Sequence, residues 1–331
     1  MAATGELLTK IPVRDRLILF FLENAAWPLF IIIYLVLGAV RPVILTPTFF
    51  TYILYVTVPL GFAVMAEAIC ILSGALDLSV GSTVGLSAMA AGVILTRFPN
   101  FPPELSFLLP LLIGALCGMF NGFFIGFCRL NPFVVTLATM MAYQGLKILI
   151  AGGFTIPGTY LPEIYLTPGS DIGLSITCFI IFVIILWIFL RRTRAGIHIY
   201  AVGGNLEAAR MMGIDPRKTL FLVFTLSGLF SGLSGLFYTG FNRSVPITLG
   251  NRVMFPAFAA AVIGGISLQG GRGSVISAVG GALLLGVVEA FLVTFAISPE
   301  ARIVGYGFLV LAAILLNQVR DNVRDSILRK L

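Results

Sequence analysis

Apolar residues run through this chain in blocks of roughly 18–25, the length a helix needs to cross a ~30 Å hydrocarbon core. Such blocks lie at about 17–40, 51–74, 79–96, 107–128, 132–151, 172–190, 220–241, 254–268, 274–297 and 302–319. Short polar or Gly/Pro-rich breaks separate them, and several blocks carry a Gly or Pro inside. The pattern predicts an all-α, polytopic membrane helix bundle of about ten transmembrane helices, some of them broken. One transmembrane domain covers 1–331, with a cytoplasmic N-terminal segment at about 1–16, a cytoplasmic loop at about 191–219 and a cytoplasmic tail at about 320–331.

Composition sharpens this picture. Of 331 residues, 59% are hydrophobic and only 11% charged, too little charge to cover a water-soluble surface of this size. The 36 glycines suit helices that approach closely in lipid. Lys10, Arg14 and Arg16 precede the first block with no small-residue cleavage pattern, so no cleavable signal peptide is expected. The four cysteines, Cys70, Cys117, Cys128 and Cys178, sit in or beside apolar blocks without metal-ligand spacing and read as small buried hydrophobes.

The net charge of +7 changes the picture only through its placement. With the N-terminus inside, fifteen basic residues fall on cytoplasmic segments, among them Arg191, Arg192, Arg194, Arg210, Arg217 and Lys218. Five, Arg41, Arg97, Arg243, Arg252 and Arg302, fall outside, with Lys147 near the outer end of the fifth block and free to snorkel to the interface. That asymmetry follows the positive-inside rule and places both termini in the cytoplasm of a cell (inner or plasma) membrane protein. Basic residues that border spans point to lipid, not to nucleic acid.

Within the loop at 191–219, Asn205-Leu-Glu-Ala-Ala-Arg-Met-Met-Gly-Ile has an Asn N-cap, a helix-forming middle and a Gly stop. Asp215-Pro216 then turns the chain back to the bilayer. A weak internal echo links Gly114-Ala-Leu-Cys-Gly-Met-Phe-Asn-Gly-Phe to Gly281-Ala-Leu-Leu-Leu-Gly-Val-Val-Glu-Ala-Phe, allowing one inserted residue. The two spans run in opposite directions, as an inverted repeat requires.

The candidate chemistry is defined partly by what is missing. None of the four lysines follows a glycine, so the chain carries no Gly-Lys-Ser/Thr phosphate loop. A single histidine, His198, excludes a multi-histidine metal site. Glu67, Asp77, Lys147 and Glu289 fall within or at the ends of apolar blocks, where a charge faces a bundle interior or a watery path. Glu67 lines a path or links helices. Asp77 and Ser79 interrupt the apolar run, where either one caps the next helix or touches solute. Asn121, Tyr143 and Gln144 add uncharged hydrogen-bonding groups suited to a neutral polar solute.

Four stretches give the chain a family likeness. They are Ser73-Gly-Ala-Leu-Asp-Leu-Ser-Val-Gly-Ser; Asn121-Gly122 with Asn131-Pro-Phe-Val-Val-Thr-Leu-Ala-Thr; Tyr200-Ala-Val-Gly-Gly-Asn-Leu-Glu-Ala-Ala-Arg-Met-Met-Gly-Ile; and Ala261-Val-Ile-Gly-Gly-Ile-Ser-Leu-Gln-Gly-Gly-Arg-Gly. In order and spacing over about 50–319 the chain resembles the permease subunits of ribose- and galactose-type ABC sugar importers. The resemblance implies that Gly203, Gly204, Asn205, Ala208, Ala209, Arg210 and Gly213 form a loop that docks on a separate cytoplasmic ABC ATPase. ATP and magnesium then belong to that partner, no cofactor to this chain, and the chain is no enzyme. A second permease copy or paralogue and an extracytoplasmic solute-binding protein complete the implied assembly. Two departures stand out: Leu76 replaces the family's Ile, and Met254 and Pro256 replace an acidic pair. The second fits one half of a diverged permease pair and blocks any transfer of solute identity. The rival readings are a secondary carrier driven by an ion gradient through Glu67 or Asp77, and a membrane enzyme acting on lipid-linked sugars.

Overall fold

The computed structural model describes residues 25–328, all-helical apart from one two-residue strand pair. The helices are α1 (Ala26–Val40), α2 (Pro47–Leu72), α3 (Val80–Arg97), α4 (Leu108–Gly122), α5 (Pro132–Ala151), α6 (Glu163–Ser170) and α7 (Ile172–Arg192). After them come α8 (Arg194–Gly204), α9 (Leu206–Met211), α10 (Pro216–Asn242), α11 (Met254–Ile263), α12 (Val275–Thr294) and α13 (Pro299–Leu328). A π-helical turn, Phe123–Phe127, prolongs α4. Strands β1 (Ile156–Pro157) and β2 (Ser244–Val245) pair antiparallel, Ile156 opposite Val245.

Among the described residues seven helices are long and apolar enough to cross a membrane, namely α2, α3, α4 with its π-turn, α5, α7, α10 and α12. The first block is described only from Ala25 on, its helix starting at Ala26, and the remainder lies outside the described residues. At 254–268 the outcome differs from the expected full span. Helix α11 stops at Ile263, because Gly265, Gly270, Gly271 and Gly273 all take positive φ in the segment that follows. Ten residues rise only about 15 Å, half of a bilayer core.

Sequence explains where helices begin. Thr46, Asn131, Asp171, Asn205 and Asp215 each accept an amide hydrogen from the first turn of the helix that follows. Proline occupies the start of α2, α5 and α10, where its missing N–H costs nothing.

The bundle is sorted by burial rather than by hydropathy. Helix α3 has mean hydropathy 1.3 and 72% of its most apolar window buried, whereas α7 has 2.9 and 17%. The most apolar helix therefore lies at the rim, with Ile181, Ile184, Ile185 and Ile188 exposed on the outside of the bundle, while glycines and hydroxyls face inward. Helices α2, α10 and α12 form the centre.

Glycine sets the closest contact. Gly114, Gly118, Gly122 and Gly126 recur every fourth residue down one face of α4 and its π-turn, against α10. A Cβ added to Gly228 would lie 2.1 Å from the Gly114 carbonyl oxygen, and one on Gly118 would lie 2.1 Å from that of Phe224. The remaining packing is reciprocal. Helix α4 lies on α10 and α12 on α2; α3 touches α10 and α11 touches α2; α5 packs on α3 and α13 on α11.

Candidate functional site

Three features outside simple apolar packing stand out, and each grows from a break in a helix. The first is the segment α8–α9. Asn205 ends α8 and caps α9, its Oδ1 accepting from the Ala208 amide at 2.9 Å, and Gly213 ends α9 with φ +81°. Leu206, Glu207, Ala208, Arg210, Met211, Met212 and Gly213 are exposed, Met211 at 85% and Met212 at 80%. Ala209 is buried, and the half-buried Gly203 is pressed against neighbouring backbone. A Cβ on Gly203 would lie 2.0 Å from the Leu72 carbonyl oxygen and 2.7 Å from the Gly271 nitrogen.

Around Gly203 three of the sequence motifs meet. The Gly271 amide donates to the Leu72 carbonyl at 2.8 Å, and the Tyr200 hydroxyl donates to the Gly273 carbonyl at 3.1 Å. Gly74, Gly204 and Gly270 fill the same junction, where a Cβ on Gly270 would stand 2.7 Å from both the Gly203 oxygen and the Gly74 Cα. The exposed helix α9 is thereby fastened to the end of α2 and to the connection between α11 and α12. Tyr200 lies deep enough in this junction that burial raises its hydroxyl pKa above the ordinary value.

The second feature is a sealed polar knot at the break between α2 and α3. Asp77 Oδ1 accepts from the Ser79 amide at 3.0 Å and the Ser79 hydroxyl at 2.6 Å, while Oδ2 accepts from Ser227 of α10 at 2.8 Å. Asn121 of α4 donates to the Ser79 oxygen at 2.8 Å, and Tyr143 of α5 donates to the Cys117 carbonyl at 3.0 Å and reaches Asn121 Oδ1 at 3.5 Å. Asp77, Ser79, Asn121, Tyr143 and Ser227 are all buried. Ser79 holds the N-cap position of α3 without a side-chain bond to that helix; the Asp77 carboxylate, two residues earlier, receives the Ser79 amide instead. Glu67 is fully buried in α2 with neither carboxyl oxygen hydrogen-bonded, and Gln144 is half-buried beside Tyr143.

The third feature is a cleft of about 730 Å³ between α2, α10, α12 and α13. None of the six intramembrane candidates named from sequence (Glu67, Asp77, Ser79, Asn121, Tyr143, Gln144) lines it. Its polar wall is Glu289 of α12 with Arg302 and Tyr306 of α13. Arg302 Nη1 meets Glu289 Oε1 at 2.6 Å, and the Tyr306 hydroxyl donates to Glu289 Oε2. Its floor is the irregular chain Pro246–Val253 leading into α11.

That chain lies along α3. A Cβ on Gly92 would meet Val245, one on Gly85 the Leu249 carbonyl at 2.3 Å, and one on Gly81 the Gly250 carbonyl at 2.6 Å. Residues 81 to 92 of a helix span roughly 16 Å, so non-helical backbone descends well into the bundle. Lys147 holds it there. Instead of snorkelling, this side chain is 1% exposed and its Nζ donates to the Leu249 carbonyl at 2.9 Å and Asn251 Oδ1 at 2.8 Å. Cys128 also departs from the burial expected of the cysteines and is exposed.

Sequence reading singled out Glu289 but not its partners. Arg302 and Tyr306 lie 13 and 17 residues further on, and no local spacing signals a pairing between two helices. The one available signal was a carboxylate in an apolar block followed by an arginine at the next block's start.

Comparison with known proteins gives consistent results. Residues 49–316 match the family described as branched-chain amino acid transport system / permease component. The chain is 32% identical over 278 residues to the fructose import permease protein of Rhizobium meliloti, covering 81% of this chain and 77% of that one. It is 37% identical over 235 residues to an autoinducer 2 import system permease protein of Enterobacter sp. (strain 638), covering 70% and 67%. A second autoinducer 2 import system permease, from Klebsiella pneumoniae, is 32% identical over 276 residues, covering 81% and 82%. No solved structure matches the chain.

Proposed function

This chain belongs to the family of branched-chain amino acid transport system permease components, and on that premise we propose that it is the transmembrane permease subunit of an ATP-driven importer. Its cargo is a sugar or a similar neutral polar solute, a reading supported by the fructose and autoinducer 2 import permeases among its relatives. An extracytoplasmic binding protein delivers the solute, and a second permease, copy or paralogue, completes the path. ATP and magnesium act in a separate cytoplasmic ATPase; this chain changes no covalent bond. In the cell membrane both termini lie inside; α1, α13 and the descending chain 244–253 continued by the half-length α11 join the seven long spans to give about ten crossings.

The observation that carries this reading is the exposed helix α9 on its glycine junction. A docking helix must offer a surface and must be rigidly tied to what moves. Helix α9 and the residue that ends it offer Ala208, Arg210, Met211 and Met212, and through Gly203 of α8 the segment rests on the Leu72 and Gly271 backbone. A push there reaches both the break after α2 and the connection after α11. The reciprocal packing of α2–α5 and α10–α13 supports an inverted repeat, the architecture through which one half rocks against the other. The rival carrier would run an ion through Glu67 or Asp77, but the Asp77 carboxylate is committed to three hydrogen bonds within the protein.

The test is purification from native membranes in mild detergent. An ATPase bearing a phosphate loop is expected to accompany the chain. Ala208→Arg and Met212→Glu, both on the exposed face, are expected to lose it while leaving the permease intact. A chain that purifies without any ATPase, under conditions that preserve a known importer complex, contradicts the proposal.

A further inference from the structure

We propose that the cleft walled by Glu289, Arg302 and Tyr306 is a solute-holding site inside the single permease chain, and that it takes a neutral polyhydroxylated molecule of monosaccharide size. The inference rests on the importer reading above but adds a place and a chemistry to it, since that reading puts the path between two permeases.

The backbone argues first. Non-helical chain is tolerated at membrane depth only where protein buries it or where it lines a watery cavity. Pro246–Val253 does both. One side presses on Gly81 and Gly85 of α3, with the Leu249 carbonyl held by Lys147, and the other side forms the cleft floor. Because α11 is a half-length helix, the cleft reaches inward beside the start of that helix at Val253 and Pro256. At about 730 Å³ it lies within the ~300–1,000 Å³ range of small-molecule sites.

The side chains argue for the class of ligand. A sugar hydroxyl both donates and accepts, and its ring carries apolar C–H faces. The cleft offers an acceptor at Glu289, donors at Arg302, Arg252 and the Asn251 amide nitrogen, whose oxygen is taken by Lys147, and aromatic walls at Tyr52, Tyr238 and Phe241. The Glu289 carboxylate and the Arg302 guanidinium face each other at 2.6 Å, so the inner wall presents strong polarity with its charges balanced. A zwitterion or an ion would have to break that pair; a neutral polyol bridges it from the open side. Glu289 is 33% and Arg302 19% exposed, so both remain reachable from the cleft.

The importer complex, purified with its ATPase and placed in nanodiscs, tests this by saturation-transfer NMR with D-fructose, D-ribose and L-leucine as probes. At least one of the two sugars is expected to take up saturation and leucine to take up none. Val293→Trp, which fills the cleft from its rim, is expected to abolish the sugar signal. Glu289→Gln is expected to weaken sugar binding roughly tenfold, the loss of one hydrogen bond to a charged group. Phe154→Ala, on a side chain outside the cleft, is expected to leave it unchanged. Helical content and ATPase retention report that each variant is folded. Sugar binding undiminished in both cleft variants, leucine binding in place of sugar, or no sugar binding to a complex that keeps its ATPase each overturns the proposal. All three leave the importer reading standing, whereas absence of the ATPase from the wild-type preparation is the result that removes that reading.

Discussion

The two polar clusters of this protein occupy matching places in the bundle and differ in whether they are closed. In the first, Asp77 sits at the turn between α2 and α3, Asn121 comes from α4, and Tyr143 of α5 reaches Asn121 Oδ1 at 3.5 Å. In the second, the chain passes from α10 to α11, Glu289 comes from α12, and Tyr306 of α13 donates to it. The weak echo between the two halves sets Asn121 opposite Glu289, and the packing of the surrounding helices is reciprocal. What separates the clusters is the connection. A tight turn folds the Asp77 carboxylate back onto Ser79 and Ser227, and every oxygen of that carboxylate is satisfied internally. The longer irregular segment at 246–253 is pulled aside onto α3 by Lys147 and leaves space in front of Glu289. One half is thus a lock and the other a cleft, so a buried carboxylate in a membrane block does not by itself mark a transport site.

The closed side is most vulnerable at the glycine contact between α4 and α10. In Gly228→Leu the first added carbon would already stand 2.1 Å from the Gly114 carbonyl and 2.8 Å from Gly118. A loss beyond about 5 kcal/mol is expected, seen as no monodisperse protein in detergent. Asp77→Ala strikes next. It removes the acceptor for two hydroxyls and an amide, all buried, and is expected to cost about 3 kcal/mol. Glu289→Ala should cost about 1 kcal/mol or less, because Arg302 on the cleft side reaches water. Thermal unfolding in detergent compares the two; equal losses would erase the distinction between lock and cleft. Between these two in stability falls Lys147→Met, expected to cost about 1–2 kcal/mol for the orphaned Leu249 carbonyl and Asn251. Its effect on solute uptake should be much larger, because the cleft floor loses its anchor.

Much of this was legible in the sequence where the signal is local. The Asn205 cap, the Gly213 stop and the Asp215-Pro216 turn each act within one helical turn, and the structure places all three as read. The apolar blocks gave the helices because a lipid-spanning helix satisfies its own backbone whatever surrounds it. The break at Asp77 was visible, but its bond to Ser227 joins residues 150 apart. The half-length of α11 was hidden because glycines at 264–273 look neutral in an apolar run and reveal their positive φ only in three dimensions. Lys147 was misread for a related reason. A lysine near a span end ordinarily reaches water, and nothing local shows that the Leu249 carbonyl lies beside it. Gly203 shows the same limit on the α8–α9 segment, since its contacts with Leu72 and Gly271 come from two distant motifs.

Proteoliposomes decide whether solute moves on the power of a separate ATPase. The complete complex is reconstituted with its binding protein outside and ATP enclosed, and labelled sugar uptake is followed with proton and sodium gradients collapsed by ionophores. Uptake is expected to continue without gradients and to stop when ATP is replaced by a non-hydrolysable analogue. Uptake that needs an imposed proton or sodium gradient and proceeds equally well without ATP would contradict ATP-driven import.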